Sequence, residues 1–184
     1  VEMIGNYRGR AQVAAGEAFD VSPGNIESHT IRSSLPGGLK LALLPKKTRG
    51  EAVHLSLTLR YGTLESLKRR TGAGEFLPLL MARGTKRLNR TQINDQLDDL
   101  RASLSGNGDR RTPGEAGFNI QTNRTSLPKV LEILRQILRE PTLPEGELAL
   151  MKQRALAGLE QRRTDPQALG IRRLRRAFRP YPAD

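Results

Sequence analysis

Hydrophobic and polar positions alternate most strictly from Val53 to Tyr61, where Val53, Leu55, Leu57, Leu59 and Tyr61 are interleaved with His54, Ser56, Thr58 and Arg60. A period of two puts the apolar set on one face of a strand and the polar set on the other. His54 therefore shares a face with Ser56 and Thr58 and reads as a partly exposed strand residue rather than a ligand. Another strand candidate, LKLALLP from Leu39 to Pro45, precedes it. Before these, residues 1–25 are small, polar and glycine-containing, and Ser22-Pro23-Gly24 reads as a turn, so regular structure is expected to begin near Ile26.

Helical spacing takes over from about Ala73 to Arg83, with Gly84 placed to end the helix. Pro78 stands in the middle. An interior proline deletes a backbone hydrogen bond and clashes with the preceding turn, at about 3 kcal/mol, so this helix is expected to kink or to start late. Thr91 is placed to cap a second helix with Ile93, Leu97 and Leu100 as its stripe. Two short strands, Ala102 to Gly106 and Ala116 to Thr122, flank the turn-rich NGDRRTPG. Ser126 then caps a helix whose apolar face is Val130, Leu131, Ile133, Leu134, Ile137 and Leu138, with Pro128 in the tolerant first turn.

A further helix is expected from about Glu145 to Arg163, its first-turn Glu145 and Glu147 matching the positive helix end. Asp165 and Pro166 open the last one, where Ile171, Leu174 and Phe178 are flanked by Arg172, Arg173, Arg175, Arg176 and Arg179. Early strands, two helices, two strands and three helices make an α+β fold. Its mixed, largely antiparallel sheet carries its helices on one face.

Composition narrows the chemistry. The 184 residues have room for one domain, and 31 Lys+Arg against 19 Asp+Glu leave +12, a field that attracts polyanions without choosing among them. The absence of cysteine removes disulfides, thiolate metal sites and cysteine nucleophiles. His29 and His54 are the whole histidine supply, so a site with two imidazoles would need both. No apolar run approaches the ~18 residues of a membrane span, and the N-terminal VEMIGNYRGRAQ lacks an apolar leader core, so a soluble piece without an address is expected.

The arginines of the last helix are the sharpest nucleic-acid feature, yet Phe178 and Tyr181 form no stacking series and no nucleic-acid-binding motif accompanies them. Nucleic acid is therefore not the expected partner, and the cluster reads as a solvated or partner-facing helix side. Gly72-Ala73-Gly74 and Gly106-Asn107-Gly108 lack the ending of a phosphate loop and read as turns. No serine lies in a G-x-S-x-G frame, and Asp95, Asp98 and Asp99 read as a solvated helix face.

A set of short marks then occurs in order: Leu35-Pro36, Gly38-Leu39, Tyr61-Gly62, Gly84-Thr85-Lys86, Ser126 to Pro128 before Glu132 to Leu134, and Thr142-Leu143. With them, from about residue 30 to 184, the chain resembles the insulinase/pitrilysin-like zinc metallopeptidases, whose inverted motif H-x-x-E-H lies on a helix running into Gly-Thr-Lys. The resemblance implies an α+β domain of the kind that pairs with others around a peptide in a clam-shell chamber. Counted back from Gly84-Thr85, the first motif histidine falls on Glu75, the catalytic glutamate on Pro78 and the second histidine on Leu79. The third ligand, a glutamate on the helix after Thr142-Leu143, falls on Gly158, and a supporting glutamate on Met151.

Zinc chemistry needs two neutral imidazoles, a carboxylate ligand and a carboxylate base. The resemblance thus implies an inactive domain without catalytic residues or metal, from a bacterial zinc protease whose active half, in the same chain or a partner subunit, holds the zinc. It implies roles in closing the chamber, stabilising the active half and holding peptide, the last at the edge strand Ala102, Ser103, Leu104, Ser105 and Gly106. A periplasmic home is the compartment it favours. The expected layout is an arm or linker over 1–25 and one peptidase-like domain over 26–184, cut short at its C-terminus. The alternative is a basic binding module for an acidic protein or nucleic acid.

Overall fold

The computed structural model describes residues 15–109, 112 and 114–178. Residues 1–14 of the expected arm, Arg110, Arg111 and Pro113 of the turn-rich stretch, and Arg179 and Tyr181 lie outside them. The chain divides into two compact units, one up to Val53 and one from His54 onward.

In the first unit, α1 spans Pro23–His29, so regular structure starts three residues before the expected Ile26. Ser22-Pro23-Gly24 is a helix start rather than a turn, because proline's fixed φ suits the first helical position. Asp20 braces this entry by accepting hydrogen bonds from the Ser22 amide at 2.9 Å and hydroxyl at 2.7 Å. Strands β1 (Ile31–Ser34) and β2 (Lys40–Leu43) pair antiparallel, with Ile31 opposite Leu43 and Ser34 opposite Lys40. Gly37 and Gly38 turn the hairpin at φ +90° and +83°, a region closed to most side chains.

The second unit is built on a three-stranded sheet in the order β3 (Ala52–Arg60), β5 (Glu115–Asn123), β4 (Ser103–Asn107). β4 and β5 run antiparallel, with Ser103 opposite Gln121 and Gly106 opposite Phe118. β3 opposes β5 as well, since Ser56 bonds Asn119 and Arg60 bonds Glu115, a pairing that ascends one strand as it descends the other.

One face of this sheet is apolar and covered. Ala116, Phe118 and Ile120 of β5 are buried with Ile93 and Leu97 of α4 (Arg90–Asp99) and with Val130, Ile133, Leu134 and Ile137 of α5 (Leu127–Arg139). Leu55, Leu57, Leu59 and Tyr61 pack against the edge of that core. The other face carries His54, Ser56, Thr58, Ser103, Ser105, Asn107, Asn119 and Gln121, all exposed. The alternation expected of Val53 to Tyr61 and the fold class thus stand as read.

Several helix ends differ from expectation. α4 is capped by Asn89, whose side chain accepts from the Gln92 amide while Gln92 returns a bond to the Asn89 amide, and Thr91 lies inside the helix. Both residue types cap well, and only Asn89 has a glutamine three residues on to complete the reciprocal pair. Ser126 sits at the α5 cap position without a side-chain cap bond, and its own amide is held by the Asn123 side chain at 2.9 Å. Asp165 does cap α7 (Pro166–Phe178), accepting from the amides of Gln167 and Ala168. α6 spans Glu145–Arg163, as its pattern foretold. A short α2 (Leu64–Leu67), closed by a Thr63–Ser66 capping box, was not foreseen.

α3 occupies Thr71–Met81 and neither breaks at Pro78 nor starts late. Gly72 to Gly74 form its first turn rather than a separate loop, and Gly106-Asn107 closes β4. The two corrections share one cause. The helix lies directly on the strand, and a Cβ on Gly106 would collide with the Pro78 carbonyl and come within 2.6 Å of its carbon. A Cβ on Gly108 would come within 2.7 Å of the carbonyl oxygens of Gly74 and Glu75. Gly74 is the residue whose carbonyl loses its helical donor to Pro78. Side-chain-free positions on the strand let the proline turn bury itself against backbone.

Candidate functional site

The positions counted for zinc chemistry fall on two helices that touch, α3 and α6. On α3, Pro78 is fully buried, while Glu75 and Leu79 are half-buried. On α6, Glu147, Met151, Ala155 and Gly158 are half-buried and recur at helical spacing, and a Cβ at Gly158 would meet nothing within 4 Å.

The loop after α3 fixes where α6 begins. Gly84 bridges to Asn89 and Thr85 to Pro141, the Thr142 amide donates to the Gly84 carbonyl at 3.1 Å, and the Lys86 amide donates to the Glu140 carbonyl at 2.9 Å. Thr85 is 5% exposed, and its hydroxyl accepts from the Leu88 amide at 3.0 Å. A Cβ on Gly84 would stand 2.7 Å from the Thr142 hydroxyl and 3.1 Å from the Pro144 ring, so a larger residue there requires these side chains to shift. The Gly84-Thr85-Lys86 and Thr142-Leu143 marks are therefore two sides of one junction.

Ion pairs tie the same junction. The Glu147 carboxylate, on the first turn of α6, lies 3.2 Å from Arg90 and 3.9 Å from Arg83. Glu140 reaches Arg87 at 3.6 Å and Arg135 at 3.9 Å. Sequence reasoning assigned Glu147 only a helix-dipole role and missed this network, because Arg90 is 57 residues away and no local period connects them. Arg135 also clasps Glu132 through two bonds of 2.7 Å. That guanidinium, helped by Gln136, holds the Glu132 carboxyl down at about 2, against an ordinary 4.5.

The residues at the counted positions do not fit a metal site. Leu79 is hydrocarbon, Gly158 has no side chain, Pro78 has no proton acceptor, and Met151 offers only a soft thioether, which leaves Glu75 as the single hard donor. Among the described residues no group of three or more His, Cys, Asp or Glu is placed to hold a metal ion. His29 binds the Asn25 carbonyl through Nδ1 at 2.8 Å and lies edge-on to Phe19, and His54 stays on the exposed face of β3. Asp95, Asp98 and Asp99 are exposed on α4.

The region from residue 41 to 182 matches the family model for insulinase, peptidase family M16. The chain belongs to that family. No curated protein matches it. Among solved structures, a peptidase M16 inactive domain from Pseudomonas fluorescens matches at 18% identity and TM-score 0.62, over 80% of this chain and 35% of that one. A protease from Helicobacter pylori matches at 20% identity and TM-score 0.58, over 76% and 33%, and the periplasmic protease PqqL from Escherichia coli at 10% and 0.56, over 86% and 16%. At these identities the likeness is one of fold, and this chain spans about a third of the first two neighbours and a sixth of the third.

Within the M16 domain, the expected edge strand is shifted by one residue. β4 runs Ser103–Asn107, and Ala102 precedes it, its amide spent on the Leu97 carbonyl at 2.8 Å. β4 is an end strand of its sheet, with Ser103 and Ser105 exposed, Leu104 half-buried and Gly106 buried beneath Pro78. No helix among the described residues is long and apolar enough to cross a membrane.

Proposed function

We propose that this M16 domain is a catalytically inactive part of a zinc metallopeptidase. It serves chamber closure, peptide binding and stabilisation of an active half that carries the zinc. One observation supports the reading: α3 and α6 touch, the Gly84–Thr142 junction and the Glu147–arginine pairs tie the loop after α3 to the start of α6, and the positions counted for zinc chemistry are Glu75, Pro78, Leu79, Met151 and Gly158. A peptide strand would add to β4 at Ser103 to Gly106, an end strand of its sheet.

Zinc analysis of the purified, dialysed protein tests this directly, with metal expected at background and stoichiometric zinc through Glu75 refuting it. A second reading, a basic module for an acidic protein or nucleic acid, draws on the exposed Arg172, Arg173, Arg175 and Arg176. Binding to random duplex DNA that survives physiological salt would favour it over the first.

A further inference from the structure

β4 ends at Asn107, whose register partner on β5 is Gly117. Asn107 is exposed, and Gly108 follows it in the sole Asn-Gly pair of the sequence. The carboxamide of Asn107 lies over the space that Gly117 leaves, since a Cβ on Gly117 would collide with its Oδ1 and stand 2.9 Å from its Cγ.

That carboxamide is oriented by its neighbours on the polar face of the sheet. The Ser56 hydroxyl donates to Asn119 Oδ1 at 2.9 Å, which leaves the Asn119 amide nitrogen to donate to Asn107 Oδ1 at 3.2 Å. Ser56, Asn119 and Asn107 thus form one relay from β3 across β5 to β4. A donor on Oδ1 stabilises the oxyanion that forms when a nucleophile adds to the adjoining carbonyl carbon.

A nucleophile is next in the chain. The backbone nitrogen of Gly108 can close on Asn107 Cγ to form a cyclic imide, and glycine has no side chain to obstruct the approach. The fold also requires glycine here, because a Cβ on Gly108 would come within 2.7 Å of the carbonyl oxygens of Gly74 and Glu75 in the first turns of α3. The packing that seats α3 therefore demands the residue that makes Asn107 labile.

We propose that Asn107 is a site of spontaneous covalent modification, deamidating to aspartate and isoaspartate. The Gly108 nitrogen gives its proton to water and bonds to Asn107 Cγ. The Cγ–Nδ2 bond breaks, and the nitrogen takes a proton back and leaves as ammonia. Water then opens the imide at either carbonyl, so one water is consumed, one ammonia is released and nothing is oxidised or reduced. Aspartate keeps the backbone, and its carboxylate still accepts from Asn119. Isoaspartate routes the main chain through the side chain and lengthens it by one methylene just before Gly108, where the contact with α3 leaves no slack.

Ageing the full chain in mildly alkaline buffer, followed by peptide mapping with mass spectrometry, tests this. The peptide holding Asn107 is expected to exchange NH2 for OH ahead of those holding Asn25, Asn89, Asn94, Asn119 or Asn123, and to become a substrate for isoaspartyl methyltransferase. Asn119→Asp can still hold the carboxamide through its nitrogen but takes the donor away from Oδ1, and is expected to slow the conversion about fivefold. The isoaspartate-containing fraction is expected to melt about 2–8 °C below fresh protein, with Asn107→Asp melting alongside the fresh protein. Another asparagine converting before Asn107 overturns the site, conversion at the wild-type rate in Asn119→Asp overturns the relay, and an isoaspartate fraction that melts with fresh protein overturns the strained contact.

Discussion

Replacing Gly106 by alanine drives a Cβ into the Pro78 carbonyl, with the Pro78 carbon at 2.6 Å and the Leu79 amide nitrogen at 3.2 Å. All three are backbone atoms of a buried turn, so no side-chain rotation relieves the overlap and α3 and β4 must separate. Ordinary contact needs about 3.4 Å or more between such atoms, and overpacking a well-filled site by one methyl costs about 1–3 kcal/mol. Restricting the unfolded chain returns about 0.4–1 kcal/mol. The net is a loss of about 1–2 kcal/mol, which for a chain of this size lowers Tm by about 2–8 °C. Differential scanning calorimetry reads this directly.

Gly158→Ala is the matched control. Nothing lies within 4 Å of a Cβ at Gly158, and the residue is inside α6. Helix propensity alone then raises stability by about 0.5–1 kcal/mol. A Gly106→Ala protein melting at or above the wild-type temperature would refute the close helix–strand contact, and with it the account of how Pro78 is tolerated.

Asn89→Ala removes the side-chain half of the α4 capping box, the acceptor of the Gln92 amide, and should cost about 1 kcal/mol in urea denaturation, with Thr91→Ala near neutral. Equal effects would return the cap to Thr91. The Glu132 carboxyl, lowered to about 2 from 4.5, gives stability that is present above its unfolded value and is lost as pH falls from there through the folded value. Carboxyl-carbon NMR should therefore find Glu132 ionised at pH 3.5, where a free glutamate is mostly protonated, and Arg135→Gln should bring its midpoint back toward 4.5. Glu147→Gln should lower stability by up to about 1 kcal/mol, the effect shrinking with salt because its arginine partners are partly exposed.

What could be read without the fold was whatever repeats along the chain. The alternation of β3, the apolar face of α5 apart from Leu131, which is exposed, the span of α6 and the Asp165 cap follow from neighbours within about four residues, and so were legible.

The Pro78 and Glu147 misses involve partners far away in sequence. Pro78 stays inside α3 because Gly106 and Gly108, about thirty residues on, leave room for the helix backbone. Periodicity weighs only the proline's local cost. The cap of α4 went to Asn89 through a reciprocal bond with Gln92 that residue type alone does not rank above Thr91.

Sequence by itself determined most of the elements and the polar and apolar faces of β3 and α4. Tertiary structure decided that α3 lies bare on β4, that Glu147 reaches Arg90 to tie α6 to the motif loop, and that Leu174 and Phe178 of α7 stay exposed. The physical reason is range. Side-chain periodicity and capping act over one helical turn, whereas packing and ion pairing depend on distances in space that only the folded chain creates.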